Sequence, residues 1–377
     1  MTRVHLQLGA EVPREGKHDA TRPTAVRKGI GMQAFQLVAW KTPPEPHEVP
    51  EPEPGPGQVV IRVAGAGACH SDLHLMHDFE GGLLPWGPPF TLGHENAGFV
   101  DALGSGVTGL EIGEPVLVYG PWGCGRCHRC RQGMENYCEH SAEIGPAGGG
   151  LGLDGGMAPK MLVPSARHLV PLGDLDPVDA APLSDAGLTP YHAVKRSLPL
   201  LDPGSVAVVI GVGGLGHMAV QILVAMTAAT VVAADQRDRA LATAREVGAT
   251  HAVPAGGDAA GHIRELCRGR GADVVLDFVG VDPTLALAAE VVRPLGHLTV
   301  VGIGGGTLPV SFFSIPYEAS VATTYWGSLT ELMEVVALAR AGKIAGKTRR
   351  YPLTEASAAY GAMERGELDG RAVIVPA

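Results

Sequence analysis

Four of the six cysteines fall within fifteen residues, in the run Cys124-Gly-Arg-Cys127-His-Arg-Cys130 followed by Cys138. Four thiolates at C-x2-C-x2-C-x7-C spacing suit a tetrahedral zinc with no open coordination position, which is a structural rather than a catalytic site. A two-residue gap lets a tight turn aim both sulfurs at one ion, and Gly123, Gly125 and Gly133 give the backbone freedom to wrap it. Spacing alone also admits an iron–sulfur cluster. A pair of disulfides fits less well, because the run closes too tightly for two unstrained bridges and nothing else in the chain looks secreted.

A second set of ligand types lies upstream, in Cys69-His-Ser71-Asp72-Leu-His74 and Gly93-His94-Glu95. A Cys, a His and carboxylates are the donors of a zinc that keeps one position for water or substrate. Further on, Gly211-Val-Gly213-Gly214-Leu-Gly216 follows a buried apolar run and opens a helical pattern, the context a dinucleotide-binding turn requires. Gly211 would make the turn, Gly213 would let the backbone approach a pyrophosphate, and Gly216 would allow close helix–strand packing. The helix N-terminus would then face the phosphates. Asp235 stands nineteen residues past Gly216, where a carboxylate can bond the adenosine ribose hydroxyls and repel a 2′-phosphate. NAD is therefore expected over NADP, a preference that Arg237 and Arg239 soften without reversing.

These groups need two kinds of scaffold. A length of 377 residues is more than one ordinary core, and two domains are expected. Residues 32–185 read as β-rich, with short alternating runs between Gly/Pro clusters. Residues 186–325 read as strand–helix alternation, with strands at 206–210, 230–234, 272–278 and 297–303 and helices at 215–228, 237–247 and 283–292. This is the pattern of a parallel sheet flanked by helices. Residues 326–377, with a helix near 329–341 and a terminal strand at 372–375, do not continue the alternation and are expected to return to the first domain. Residues 1–31 are polar and lack the apolar core of a secretory signal, so they read as a disordered extension or as the product of a start upstream of Met32. A net charge of −10 without a dense basic patch argues against nucleic acid. No apolar run is long enough for a membrane span.

Taken together, Gly93-His94-Glu95-Asn-Ala-Gly98-Phe-Val-Asp-Ala-Leu-Gly104, the Cys69 hexad, the four-cysteine lobe and the glycine turn resemble the zinc-dependent medium-chain alcohol dehydrogenases. The chain looks closest to the bacterial NAD-dependent secondary-alcohol enzymes. The resemblance runs from about residue 32 to the C-terminus and keeps the order of the motifs. It implies an α/β architecture, with a GroES-like catalytic domain that carries the zinc lobe and a Rossmann coenzyme domain. It also implies two zinc ions per chain. The catalytic one would be held by Cys69, His94 and a third ligand ahead of the coenzyme domain, where many members have Cys. Here the segment reads Leu183-Ser184-Asp185-Ala-Gly187-Leu-Thr189, so Asp185 is the candidate, with a helix N-cap as its alternative role. Glu95 would act behind the ligands or as a transient fourth one. Asp72 would orient the His94 ring, Ser71 would take the alcohol proton and His74 would relay it. Thr189 and Arg371 would contact the coenzyme, Arg371 at its pyrophosphate.

The expected reaction is reversible oxidation of an apolar, chiefly secondary, alcohol to a ketone or aldehyde with hydride transfer to NAD. The segments 79–90 and 314–325, rich in Phe, Leu, Pro and aromatic rings, are expected to line the substrate pocket, which disfavours the alternative of a polyol or sugar dehydrogenase. A non-catalytic nucleotide-binding structural protein is a remoter alternative, because relatives of that kind lack zinc ligands. The segment Ser320–Trp326 reads as an edge strand that could pair across a two-fold axis in a homodimer or homotetramer. A cytoplasmic location is expected.

Overall fold

The computed structural model describes residues 31–376. The extension expected at residues 1–31 lies outside them, apart from Gly31, which begins the first strand, Gly31–Leu37.

Two sheets carry the chain. The first has seven strands built around the ten-residue strand Val59–Ala68, which pairs antiparallel with Glu95–Leu103, Lys160–Val163 and the C-terminal strand Arg371–Val375. The last of these pairings, Ala372 opposite Ala68, brings the end of the chain beside the Cys69 hexad. Most of Val59–Ala68 is buried on both faces, with Val59, Val60, Ile61 and Val63 in the core and Arg62 alone exposed. A smaller sheet of three strands joins Gly31–Leu37 to Glu45–Pro50 and Phe90–Thr91.

The second sheet is parallel and has six strands. In space they run His251–Pro254, Thr230–Asp235, Val206–Ile210, Ala272–Asp277, Val292–Val300 and Ser320–Thr323, which is the order 3-2-1-4-5-6 of a dinucleotide-binding sheet. Its central strands are buried on both faces, so they read as unbroken apolar runs (Val-Ala-Val-Val-Ile at 206–210) rather than as alternation. Each buried Val or Ile side chain there contributes about 1.5–3 kcal/mol. The crossover helices Gly216–Met226, Asp238–Glu246 and Asp282–Val291 cover the faces and end within two residues of the positions expected from sequence. The short strand His251–Pro254 and the helix Ala259–Leu266 complete the unit. Cys267 caps the C-terminal end of that helix and is buried against the sheet. Helix Leu188–Ser197 leads into this unit and packs on both Gly216–Met226 and Leu329–Arg340. One core therefore runs continuously from the first sheet into the second.

Candidate active site and metal centres

In the lobe, the four cysteines lie close enough for their sulfurs to share one ion, with Cys124 Sγ 3.9 Å from Cys130 Sγ. Zinc–thiolate bonds of about 2.3 Å arranged tetrahedrally place sulfurs about 3.8 Å apart, so the spacing fits zinc. The backbone prepares the sulfurs for negative charge. Cys127 N–H donates to Cys124 Sγ (3.3 Å), Cys130 N–H to Cys127 Sγ (3.4 Å), and both Cys124 N–H (3.3 Å) and His140 N–H (3.4 Å) to Cys138 Sγ. Backbone N–H donation, chiefly from Arg126, pulls the Cys124 thiol down to about 6. Gly125 and Gly133 adopt φ of 69° and 75°, and a Cβ on Gly123 would lie 2.6 Å from Cys130 Sγ. All six cysteines are unpaired. Beneath the lobe, buried Glu135 accepts from Gly123 N–H (2.6 Å) and Arg167 Nε (2.8 Å) and lies 3.0 Å from His168 Nε2, tying the loop to the first sheet.

The second cluster is assembled from three distant segments. Cys69 sits just ahead of helix His70–His77, His94 just ahead of strand Glu95–Leu103, and Asp185 at the end of the short helical turn Ala181–Ser184. Asp185 Oδ2 lies 3.7 Å from Cys69 Sγ and 3.7 Å from His94 Nε2, again close to the edge of a zinc tetrahedron. Gly187, not Asp185, stands at the N-cap of helix Leu188–Ser197, while Asp185 Oδ1 accepts from the Thr189 hydroxyl (2.5 Å). Burial alone would raise the Asp185 carboxyl. The neighbouring His94 and Arg371 outweigh it and hold the group at about 2, so it is ionised as a ligand must be.

Around this trio the expected side chains take defined places. Asp72 Oδ2 accepts from Cys69 N–H (3.0 Å) and the Tyr360 hydroxyl (2.7 Å), and Oδ1 faces His94 Nδ1 at 3.1 Å. Ser71 Oγ lies 3.4 Å from His94 Nε2. His74, one turn further along the same helix, contacts Asp78 Oδ2 through Nδ1 (2.5 Å) and lines the cleft. Glu95 lies within the ligand cluster but is held by Arg371, whose Nε donates to Oε2 (2.9 Å), and by Ala186 N–H (3.1 Å). Arg371, expected to reach the coenzyme, is thus buried on Glu95. Its Nη1 nevertheless faces Gly214, where an added Cβ would lie 2.7 Å away.

The glycine turn forms the other end of the same cleft, which encloses about 780 Å³. Gly211 adopts φ of 85°, and a Cβ on Gly216 would fall 1.8 Å from the Gly211 carbonyl, so neither position tolerates a side chain. Gly213 opens to free space, with nothing within 4 Å of an added Cβ, as close approach by a pyrophosphate requires. Asp235 lines the cleft, and its carboxylate also accepts from Val212 N–H (2.8 Å) and Arg237 N–H (2.9 Å), bracing the turn.

Two expectations need correction. Of the segments thought to line the pocket, 314–325 contributes Thr324 and Tyr325, but no residue of 79–90 is among the cleft's lining residues. Trp86 instead packs on Trp40 (5.9 Å between centroids) and Phe90 (5.7 Å), and Phe79 also meets Trp40. Apolar composition marked these rings for burial but not for which surface. The edge strand ends at Thr323, and Trp326 turns inward to pack edge-to-face on His94, 5.8 Å between ring centroids. Its φ of +53° is unfavourable for a bulky residue by about 1–3 kcal/mol. Sequence reading missed Trp326 and Tyr360 as parts of the site, and only an unplaced aromatic in each segment hinted at them.

Residues 55–174 match the alcohol dehydrogenase GroES-like domain, and residues 214–341 match the zinc-binding dehydrogenase domain. A NAD-dependent alcohol dehydrogenase of Sulfurisphaera tokodaii is 36% identical, over 92% of this chain and 100% of that protein. A D-arabinose 1-dehydrogenase (NADP(+)) of Saccharolobus solfataricus is 35% identical, over 85% of this chain and 90% of its own. Among solved structures, the alcohol dehydrogenase of Aeropyrum pernix superposes with a TM-score of 0.85 at 38% identity, covering 91% of this chain and 100% of that one. The chain belongs to the zinc-dependent medium-chain alcohol dehydrogenase family.

Proposed function

We propose that this enzyme catalyses the reversible oxidation of apolar alcohols, secondary ones in preference, to ketones or aldehydes with NAD. The observation that carries this reading is the meeting of Cys69, His94 and Asp185 in the cleft that also holds the glycine turn. The donor set and its 3.7 Å separations suit a zinc with one position left for substrate. Zinc held there supplies Lewis acidity that makes an alcohol hydroxyl acidic, and NAD supplies the hydride acceptor.

The protein's own groups do the remainder. Ser71 Oγ, beside His94, receives the hydroxyl proton as it gives up its own. His74, which lines the same cleft, carries that proton on toward solvent, and Asp72 keeps the His94 ring turned toward the ligand cluster. With NAD bound, Asp235 would bond the adenosine ribose and favour NAD over NADP, and Thr189 and Arg371, which line the same cleft, would help hold the coenzyme at Gly211–Gly216. Glu95 acts behind the ligands, because Arg371 and Ala186 N–H already occupy its oxygens. A second zinc in the lobe, held by Cys124, Cys127, Cys130 and Cys138, makes two per chain.

The cleft walls carry Leu151, Ile303, Tyr325 and Trp326, which favours apolar substrates. A homodimer or homotetramer is supported by the open edge at Ser320–Thr323 and by exposed Phe312, Phe313 and Tyr317 just before it. Six unpaired cysteines suit a reducing, cytoplasmic setting. Among the described residues, no helix is long and apolar enough to cross a membrane.

An assay of NAD reduction against primary, secondary and poly-alcohols tests the substrate class. Fastest turnover of apolar secondary alcohols is expected. Faster turnover of sugars or polyols would favour the sugar dehydrogenase reading, which the similarity to a D-arabinose dehydrogenase keeps in view.

A further inference from the structure

The turn at 324–329 joins the edge strand of the nucleotide sheet to helix Leu329–Arg340, and it is held by residues of the four-cysteine lobe and its base. Asn136 Nδ2 donates to the Tyr325 carbonyl (2.8 Å), and Leu329 N–H donates to the Gly133 carbonyl (2.7 Å). The Tyr119 hydroxyl donates to the Gly327 carbonyl (2.7 Å). Inside this clamp sits Trp326, the only aromatic residue with positive φ among the described residues. Its ring meets the His94 imidazole at 87°, and its Nε1 donates to the carbonyl of Ser184 (3.1 Å), the residue before Asp185. One side chain therefore touches the ring of one metal-ligand candidate and the backbone next to another. A bulky side chain keeps a left-handed backbone only where its surroundings over-determine it, and here those surroundings are the lobe and the ligand cluster.

We propose that Trp326 is a positioning residue that sets the spacing of His94 and Asp185, and that the lobe keeps Trp326 in place through Asn136 and Gly133. This rests on the reading that Cys69, His94 and Asp185 hold the catalytic zinc. Asp72 meets the His94 ring only at Nδ1 (3.1 Å), and the indole, set edge-to-face on the same ring, adds a second constraint on the imidazole plane. The Nε1–Ser184 bond likewise anchors the turn that carries Asp185. The lobe then does more than stabilise its own loop: it supports the geometry of the reacting centre.

The test uses the zinc-loaded enzyme and three variants. Trp326→Gly deletes the side chain and suits the positive φ, so it relaxes the backbone rather than straining it. Trp326→Phe keeps a ring on His94 but loses the bond to Ser184, and Asn136→Ala cuts one of the two links to the lobe. The readouts are the rates at which dipicolinate strips each zinc and the visible spectrum of enzyme carrying cobalt(II) at the catalytic site. Trp326→Gly is expected to lose catalytic zinc about 10–100-fold faster and to shift the cobalt bands, with the lobe zinc exchanging as before. Trp326→Phe should fall between it and the parent, and Asn136→Ala should move both readouts the same way by less. A parental release rate and spectrum in Trp326→Gly would overturn the proposal, as would equal loosening of both zincs, which would make Trp326 a general packing residue. If Cys69→Ser leaves the parent's metal content unchanged, the underlying assignment of the ligands fails, and the role of Trp326 falls with it.

Discussion

The two cysteine-containing candidate metal sites differ in how the chain builds them. The lobe draws its ligands from fifteen consecutive residues, surrounds them with its own backbone N–H groups, and takes no part in lining the cleft. The cleft cluster draws on three segments, with Cys69 and Asp185 separated by 116 positions, and its members open onto a cavity of about 780 Å³. A local site closes around its ion as the loop folds, and metal binding there is itself folding energy. A site assembled at a distance depends on sheets and helices that form for other reasons, and it can leave a coordination position open. The two clusters therefore respond differently to mutation: damage to the lobe is read chiefly in stability, with a smaller effect passed to the cleft through Trp326, and damage to the cleft is read in chemistry.

Ser71→Ala should give the largest effect and the cleanest break between the two. Removing the proton acceptor should lower alcohol oxidation by about 10²–10⁴-fold, while both zincs and NAD binding persist, as metal analysis and coenzyme fluorescence titration would show. Loss of catalytic zinc along with activity would mean that the hydroxyl supports the metal rather than the proton path.

A smaller change is expected at Asp235, which belongs to neither cluster. Hydrogen bonds to a charged group are worth about 1.5–3 kcal/mol, so Asp235→Gly should weaken NAD by about 10–100-fold and improve relative use of NADP, with both metals unchanged. The variant also frees Val212 N–H, so part of the loss reflects a looser glycine turn. Equal use of both coenzymes by the parent enzyme would remove Asp235 from its assigned role.

The smallest effect should come from His217, remote from metal chemistry. Burial pushes its pKa from 6.5 to about 4, and the ring spans Gly213 O and Lys347 N–H. The folded state keeps this imidazole neutral while the unfolded chain takes up a proton. Its contribution is therefore full above pH 6.5 and is lost as pH falls from there toward 4. His217→Gln should flatten the decline in Tm across that window.

What the sequence made legible follows the same division between local and distant. The lobe, the glycine turn and the unbroken apolar strands are written in consecutive residues, and the structure forms the expected helices and strands with ends shifted by a few positions. Cys69 and His94 stood out as ligand types, but joining them to each other and to Asp185 took the family resemblance, since no spacing rule links positions so far apart. Tyr360 on Asp72 lies 288 residues away along the chain, and Arg371 on Glu95 lies 276 away. Both depend on the C-terminal strand pairing antiparallel with Val59–Ala68, a register that local patterns do not encode. The misplacement of 79–90 has a related cause. Aromatic content predicted burial there, but the choice between the cleft and Trp40 was settled by packing across elements.

The most direct measurement is zinc content per chain, by elemental analysis, in the parent, Asp185→Asn and Cys127→Ser, alongside alcohol-dependent NAD reduction. The account predicts two zincs in the parent. It predicts one in Asp185→Asn, with the lobe intact and alcohol oxidation lost by more than the roughly 100-fold typical of disturbing a ligand's supporting groups. Cys127→Ser should chiefly lower Tm. Asp185→Asn that keeps two zincs and oxidises alcohols at the parental rate would contradict the account, leaving Asp185 as no more than the acceptor of the Thr189 hydroxyl.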